Sequence, residues 1–125
     1  MDVSRHRLVS LGSPTEFQRV VAQGGRFSGR FVLLFARSAP ETGAVRVGVS
    51  ASGRAGSKVI RNRLKRLLRE ASRRCVEDLG PGADVVLIAK AGAVGHRLEE
   101  LEADVRELFR RARDHLAAGR GSGPP

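Results

Sequence analysis

The chain has 125 residues, with 23 lysines and arginines against 13 aspartates and glutamates, and therefore a formal net charge of +10. This length suits one domain with a single core, and the excess of positive charge favours a polyanionic partner such as nucleic acid. A single cysteine excludes an internal disulfide, and no apolar run has the length of a membrane span or of a signal peptide.

The first part of the chain predicts a basic arm and a short helix. Residues 1–13 are polar and basic, which predicts a flexible, irregular arm. Ser13 and Pro14 fit the cap and the first turn of a helix, and Gly24 and Gly25 would end it.

Two apolar stretches then predict strands. Residues 27–37 are apolar on both alternating faces, so we expect this strand to be covered on both sides or to line an apolar cleft. Residues 45–50 alternate valines with Arg46, Gly48 and Ser50, as a half-buried strand does. The short turn at residues 40–43 predicts that the two strands form an antiparallel hairpin.

Residues 57–76 are the most informative stretch. Six apolar residues recur at steps of three and four, which predicts one buried stripe on a helix: Ile60, Leu64, Leu67, Leu68, Ala71 and Cys75. Most of the remaining positions are cationic, and Glu70 is the single acid in this stretch. Like charges at this spacing repel, so the helix favours an anionic partner, and nucleic-acid phosphates are one. The alternative is a solvated helix that maintains solubility, but such surfaces mix both signs of charge.

The last part of the chain predicts a strand and a helix. Residues 79–82 would end the basic helix, residues 84–90 read as a buried strand, and residues 96–118 read as a closing helix with acids early and arginines late. Residues 119–125 are rich in glycine and proline and predict a disordered tail. The predicted fold is thus α+β, a two-layer sandwich in the order α-β-β-α-β-α that fills residues 14–118.

No catalytic or metal-binding constellation is apparent in the sequence. His6, His96 and His115 stand singly, and no group of histidines and cysteines has metal-ligand spacing. We expect no catalytic residue, no protein-bound metal and no small-molecule substrate, so that a partner would carry any chemistry.

The segment VRVGVSASGRAGSKVIRNRLKRLLREA, at residues 45–71, closely resembles the bacterial ribonuclease P protein subunit. The matching features are a strand ending in VGVS, a glycine-containing loop, and a basic helix that contains the Arg61-Asn62-Arg63 triplet. The resemblance extends upstream to the Phe17-Gln18-Arg19-Val20 segment and downstream to the closing strand and helix.

This resemblance implies a cytoplasmic protein that joins a catalytic RNA and helps it to remove the 5′ leader from precursor tRNA, with magnesium serving the RNA-based hydrolysis and with no membrane partner. It also implies a left-handed β-α-β crossover through the basic helix, where general rules favour a right-handed one. Together with the charge pattern it gives these RNA contacts: Arg54, Lys58, Arg61, Asn62, Arg63, Lys65, Arg66, Arg69 and Arg73. The leader would lie in a cleft lined by Phe17, Val21, Val32, Leu34, Arg46, Ser50 and Lys90.

Val21 and Leu34 stand where the family often has aromatic residues, which predicts an apolar and electrostatic grip on the leader. The alternative function is that of a non-catalytic protein that binds structured RNA, such as a ribosomal component. A DNA-binding regulator is disfavoured because strands precede Ser57 where a helix-turn-helix would need a helix. An autonomous nuclease is disfavoured by the missing cluster of acids.

Overall fold

A computed structural model describes residues 7–80 and 82–122, and within them it contains five β-strands and three α-helices. The strands are β1 (Arg7–Ser10), β2 (Gly25–Ser28), β3 (Val32–Ser38), β4 (Ala44–Ala51) and β5 (Ala83–Ala89). The helices are α1 (Pro14–Gln23), α2 (Lys58–Leu79) and α3 (Leu98–Ser122). The predicted α+β class is confirmed, and β1 and β2 are additions to the predicted order of elements.

The five strands form one sheet in the order β1-β4-β5-β3-β2. β4 runs parallel to both β1 and β5, whereas β3 runs antiparallel to both β5 and β2. β4 and β5 are parallel neighbours, and α2 connects them. The structure therefore contains the two strands and the helix of the predicted β-α-β crossover.

The predicted hairpin between residues 27–37 and 45–50 is wrong, because β5 lies between β3 and β4 and pairs with both. β5 is buried along most of its length and has two apolar faces, so it fits the centre of the sheet. Residues 27–37 also do not form one strand. The chain reverses after Ser28, and β2 and β3 make the antiparallel hairpin.

Asp104 of α3 stabilises this reversal, because its carboxylate accepts hydrogen bonds from the backbone N–H groups of Arg30, Phe31 and Val32 at 2.8–3.0 Å. The carboxylate that stabilises the turn therefore belongs to a residue 72–74 positions away along the chain. A contact so distant in sequence gives no local signal.

Both predicted ends of the domain need correction. The irregular conformation predicted for residues 1–13 is wrong for Arg7–Ser10, which pairs with the outer edge of β4 as β1. α3 continues to Ser122 instead of ending at residue 118, so the first part of the predicted tail is helical. A glycine costs a helix only about 1 kcal/mol and need not end it. Residues 1–6 and 123–125 lie outside the described residues.

The core lies between one face of the sheet and the two long helices. Its fully buried side chains come from the sheet and from both helices: Val32, Leu34, Val45, Val85 and Leu87 from the sheet, Leu68, Ala71 and Cys75 from α2, and Leu101, Val105, Leu108 and Phe109 from α3. We call the face of the sheet that packs against α2 and α3 the first face.

The opposite, second face of the sheet carries α1. Val20 of α1 and Val86 of β5 are both fully buried there. A β-carbon at Gly48 would lie 2.8 Å from the Phe17 ring, so the glycine permits the close approach of α1. α1 packs on β3 and β5 of this face.

Candidate nucleic-acid interface

The start of α2 is fixed by local capping contacts. The hydroxyl of Ser57 accepts a hydrogen bond from the N–H of Ile60 at 3.3 Å, as an N-cap does. In the 3₁₀ turn just before it, the hydroxyl of Ser52 accepts from the N–H of Arg54 at 3.1 Å. Gly56 has φ +135°, which favours glycine at the junction. These contacts set the position from which the basic helix leaves the sheet.

The predicted burial of α2 is confirmed over most of its length. Leu64, Leu68, Ala71 and Cys75 are buried against the sheet and α3. Burial raises the pKa of the Cys75 thiol to about 11, as expected for a small core residue. Two residues of the stripe differ: Leu67 is half-buried against the core, and Ile60 is 36% exposed on the first turn of the helix.

The cations of α2 fall into two groups with different partners. Those before Glu70 have no acidic partner among the described residues, and we call them the open basic face: Lys58, Arg61, Arg63, Lys65, Arg66 and Arg69. Beyond Glu70, Arg73 and Arg74 both bind its carboxylate, and Arg74 also reaches Glu102 at 3.1 Å. The hydrogen bonds from Arg73 and Arg74 lower the pKa of Glu70. Arg73 therefore already has an acidic partner within the protein, which makes it a weaker candidate for an RNA contact than the cations before Glu70.

Arg61 stands out within the open basic face. Its Nε is buried and has no hydrogen-bond partner among the described residues. Arginine carries five N–H donors and no acceptor, so an anion with several oxygens would complement this side chain. Asn62, beside it, is half-buried, while Arg54 in the preceding turn is exposed.

A cleft of about 440 Å³ connects the open basic face with α1. Its walls come from the segment after β1, from α1, from β4 and from α2: Ser10, Leu11, Gly12, Ser13, Pro14, Phe17, Gln18, Val47, Gly48, Val49 and Arg69. The structure thus brings the predicted leader residue Phe17 and the predicted RNA contact Arg69 to one depression.

The assignment of Val32 and Leu34 to this cleft is wrong, because both are fully buried on the first face of the sheet. The residues of β3 on the second face are instead Leu33, Phe35 and Arg37, which are half-buried. Phe35 pairs in register with Val86, which pairs with Gly48. Phe35 therefore lies on the same face of the sheet as Gly48, the residue against which Phe17 packs. Residues 32–35 are apolar on both faces, so alternation alone could not tell which face is which.

Arg46 lies on the second face, but its charge is already paired. Its Nε and Nη2 donate to the two carboxylate oxygens of Asp84 at 2.8 Å each, and its Nη1 donates to Glu16 at 3.0 Å. The hydrogen bonds to Asp84 chiefly raise the pKa of Arg46. A backbone hydrogen bond from Gly12, followed by that from Arg46, lowers the pKa of Glu16. Arg46 therefore holds the start of α1 against the sheet, and α1 in turn supplies one wall of the cleft.

Lys90 is also engaged within the protein, because its Nζ donates to the hydroxyl of Ser28 and to the carbonyl of Gly29 at 2.6 Å each. It ties the end of β5 to the β2–β3 turn. Ser50 and Val21, the other two predicted leader residues, are half-buried, with Ser50 on the second face and Val21 one turn of α1 after Phe17.

The described residues hold no group of three or more histidine, cysteine or carboxylate side chains that could bind a metal ion. Nor does this part of the chain contain a helix with both the length and the apolar character needed to cross a membrane.

Comparisons with known proteins give a consistent result. A sequence model of the family described as Ribonuclease P matches residues 6–113. The ribonuclease P protein component of Brevibacillus brevis is 34% identical over 108 residues, which cover 86% of each chain. That of Clostridium acetobutylicum is 35% identical and covers 78% of this chain and 82% of its own. The structure of the RNase P protein from Thermotoga maritima has a TM-score of 0.72 at 22% identity, over 86% of this chain and 97% of that one, and supports the same fold.

Proposed function

The chain belongs to the ribonuclease P protein family, and we propose that it is the protein subunit of a ribonuclease P, in which it binds the catalytic RNA and the 5′ leader of precursor tRNA. The complex would act in the cytoplasm as an endoribonuclease that releases the mature 5′ end of the tRNA. The RNA would carry out the cleavage, and the protein would hold and orient the two RNA chains.

The observation that carries this proposal is the division of charge along α2. Within the part of the chain that the structure describes, the cations of the open basic face have no acidic partner, although acids elsewhere on α2 and α3 pair with the later arginines. Neighbouring like charges destabilise an isolated helix, and a phosphate backbone reverses that effect.

We assign the 5′ leader to the cleft that α1, β4, α2 and the segment after β1 line together. Single-stranded nucleic acid is bound where cations follow the backbone and where aromatic rings receive the bases. Arg69 supplies a cation at this cleft, and Phe17 supplies a ring in it. Stacking of one leader base on Phe17 would be compatible with this arrangement.

The described residues do not fit a magnesium site, since Mg²⁺ prefers several oxygen ligands in near-octahedral geometry and no such group is present among them. We propose that magnesium is held by the RNA, where it would assist the hydrolysis.

The test is a reconstituted cleavage assay with the matching catalytic RNA at low magnesium concentration, with and without the protein. We expect the protein to stimulate cleavage and to increase the affinity for precursor tRNA over mature tRNA. An Arg69→Ala variant should lose part of this effect, and Arg110→Ala, on α3 and paired with Asp78, is the matched control. RNA binding without dependence on the leader would favour a ribosomal type of protein, and an absence of stimulation would contradict the proposal.

A further inference from the structure

A second cleft lies at the start of α2, where large apolar side chains are exposed. Four large apolar side chains are exposed among all the described residues: Val9 on β1, and Val59, Ile60 and Val94 near the start of α2. Ile60 and Val94 line the two sides of a cleft of about 210 Å³ between the first turns of α2 and the segment that precedes α3. Leu64 and Leu67 form more of its wall, and Arg63 and His96 lie at its polar side.

The walls of this cleft are held in place by other contacts. The 3₁₀ turn Ala91–Ala93 packs against the 3₁₀ turn Gly53–Ala55, and Ala93 and Ala55 are both buried. The His96 ring packs on Phe31, with 4.3 Å between ring centroids. A preformed apolar cleft with a few fixed polar groups is the usual form of a binding site for a small planar group.

His96 offers one defined polar atom at this cleft. Its Nδ1 lies 3.2 Å from the Oε1 of Glu100, and that carboxylate also accepts from the N–H of Arg97. Because Nδ1 is engaged, Nε2 is the ring nitrogen that is left without a hydrogen-bond partner among the described residues.

The charges around the cleft indicate what kind of partner fits it. Lys58, Arg61 and Arg63 surround the start of α2 and belong to the open basic face. The occupant must therefore present a flat or apolar group while carrying negative charge close by. A nucleobase on its phosphate backbone has both properties, and proteins that read RNA commonly receive unpaired bases in this way.

We propose that this cleft receives one unstacked nucleobase of the catalytic RNA, with Ile60 and Val94 against its faces and the Nε2 of His96 at its edge. The inference rests on the proposed function and adds a contact to it. The cleft shares no lining residue with the one assigned to the leader, so the occupant is assigned to the catalytic RNA and not to the leader of the substrate.

The test measures the affinity of the full-length protein for the catalytic RNA at several salt concentrations. The double variant Ile60→Ala/Val94→Ala should bind about 10-fold more weakly, which is ~1.4 kcal/mol. The slope of log Kd against log salt should not change, because no phosphate contact is lost. Both side chains are partly buried, at 36% and 39% exposed, so the urea unfolding midpoint should fall modestly, and affinity is measured without urea, where circular dichroism shows that the variant is folded. Val59→Ala is the matched control, since Val59 is 76% exposed on the same turn but does not line the cleft, and it should bind as the wild type does.

A second measurement locates the occupant. A benzophenone amino acid in place of Val94 should crosslink to an unpaired nucleotide of the catalytic RNA. Crosslinking to a second copy of the protein or to the tRNA leader, equal affinity of the double variant and the wild type, or a flatter salt slope would each overturn the inference. If the wild-type chain itself did not bind the RNA, the proposed function would fail and this inference with it. If the wild type bound and the double variant bound equally well, the inference alone would fail.

Discussion

Replacing Arg66 by alanine should weaken the binding of the catalytic RNA, whereas replacing Arg73 should change it little. The two residues have the same side chain, are exposed on the same helix, and lie two turns apart. They differ in their partners, because Arg66 has no acidic partner among the described residues and Arg73 shares the carboxylate of Glu70 with Arg74. The pair therefore tests whether the open basic face is what the RNA contacts.

The expected magnitude follows from the number of cations. Each phosphate contact contributes about −0.9 to the slope of log affinity against log salt, so the open basic face as a whole would give a slope of about −5. Arg66→Ala should make that slope shallower by about one unit and should cost about 1–3 kcal/mol at low salt. Between 50 and 200 mM salt the difference in affinity from the wild type should shrink by about 3.5-fold.

The assay is fluorescence anisotropy of labelled catalytic RNA with each protein at several salt concentrations, with circular dichroism to verify that both variants fold. Two outcomes would refute the reasoning. One is parallel salt plots for the wild type and Arg66→Ala. The other is a change of slope for Arg73→Ala as large as that for Arg66→Ala.

Three further predictions test the rest of the structure. Leu34→Ala should lower the free energy of unfolding, measured in urea, by about 2–5 kcal/mol because Leu34 is fully buried. Phe35→Ala should instead mainly reduce the preference for precursor over mature tRNA. The reverse pattern would contradict the register of β3. Asp84→Asn should lower the free energy of unfolding by about 2–3 kcal/mol, less than for a fully buried pair because the Arg46 side chain is 24% exposed; no shift of the urea midpoint would show that the pair does not stabilise the fold. Since burial raises the pKa of Cys75 to about 11, the folded protein should react with iodoacetamide at pH 8 far more slowly than the urea-unfolded chain, and equal rates would disprove the burial of the thiol.

The basic helix could be predicted from sequence because its signals are local and agree with one another. The apolar stripe of residues 57–76, the cap at Ser57 and the uniform charge all depend on neighbours within a few residues. The pairing of Arg73 was also within reach, since Glu70 precedes Arg73 and Arg74 by three and four residues, the spacing at which helix side chains meet.

The face of the sheet on which each residue of β3 lies could not be predicted in the same way. Val32 and Leu34 alternate with Leu33 and Phe35, and all four are apolar, so which pair faces the core depends on how the strand pairs with β5. Partners in a sheet are distant in sequence, and a shift of one residue exchanges the two faces. β1 and β2 were missed for a related reason, since four-residue edge strands are stabilised by the strands beside them.

The central position of β5 has a consequence for biosynthesis. Until the ribosome has produced residues 83–89, β3 and β4 each lack their inner neighbour, and the apolar stripe of α2 is covered only after much of α3 has followed. At about 5–20 residues per second, this leaves the nascent chain incomplete for several seconds after β4 has emerged. A polypeptide released prematurely within that interval would present a basic helix with an uncovered apolar side and two unpaired strand edges, which favour aggregation. The position of β5 therefore makes the native placement of the basic helix depend on translation of nearly the whole chain.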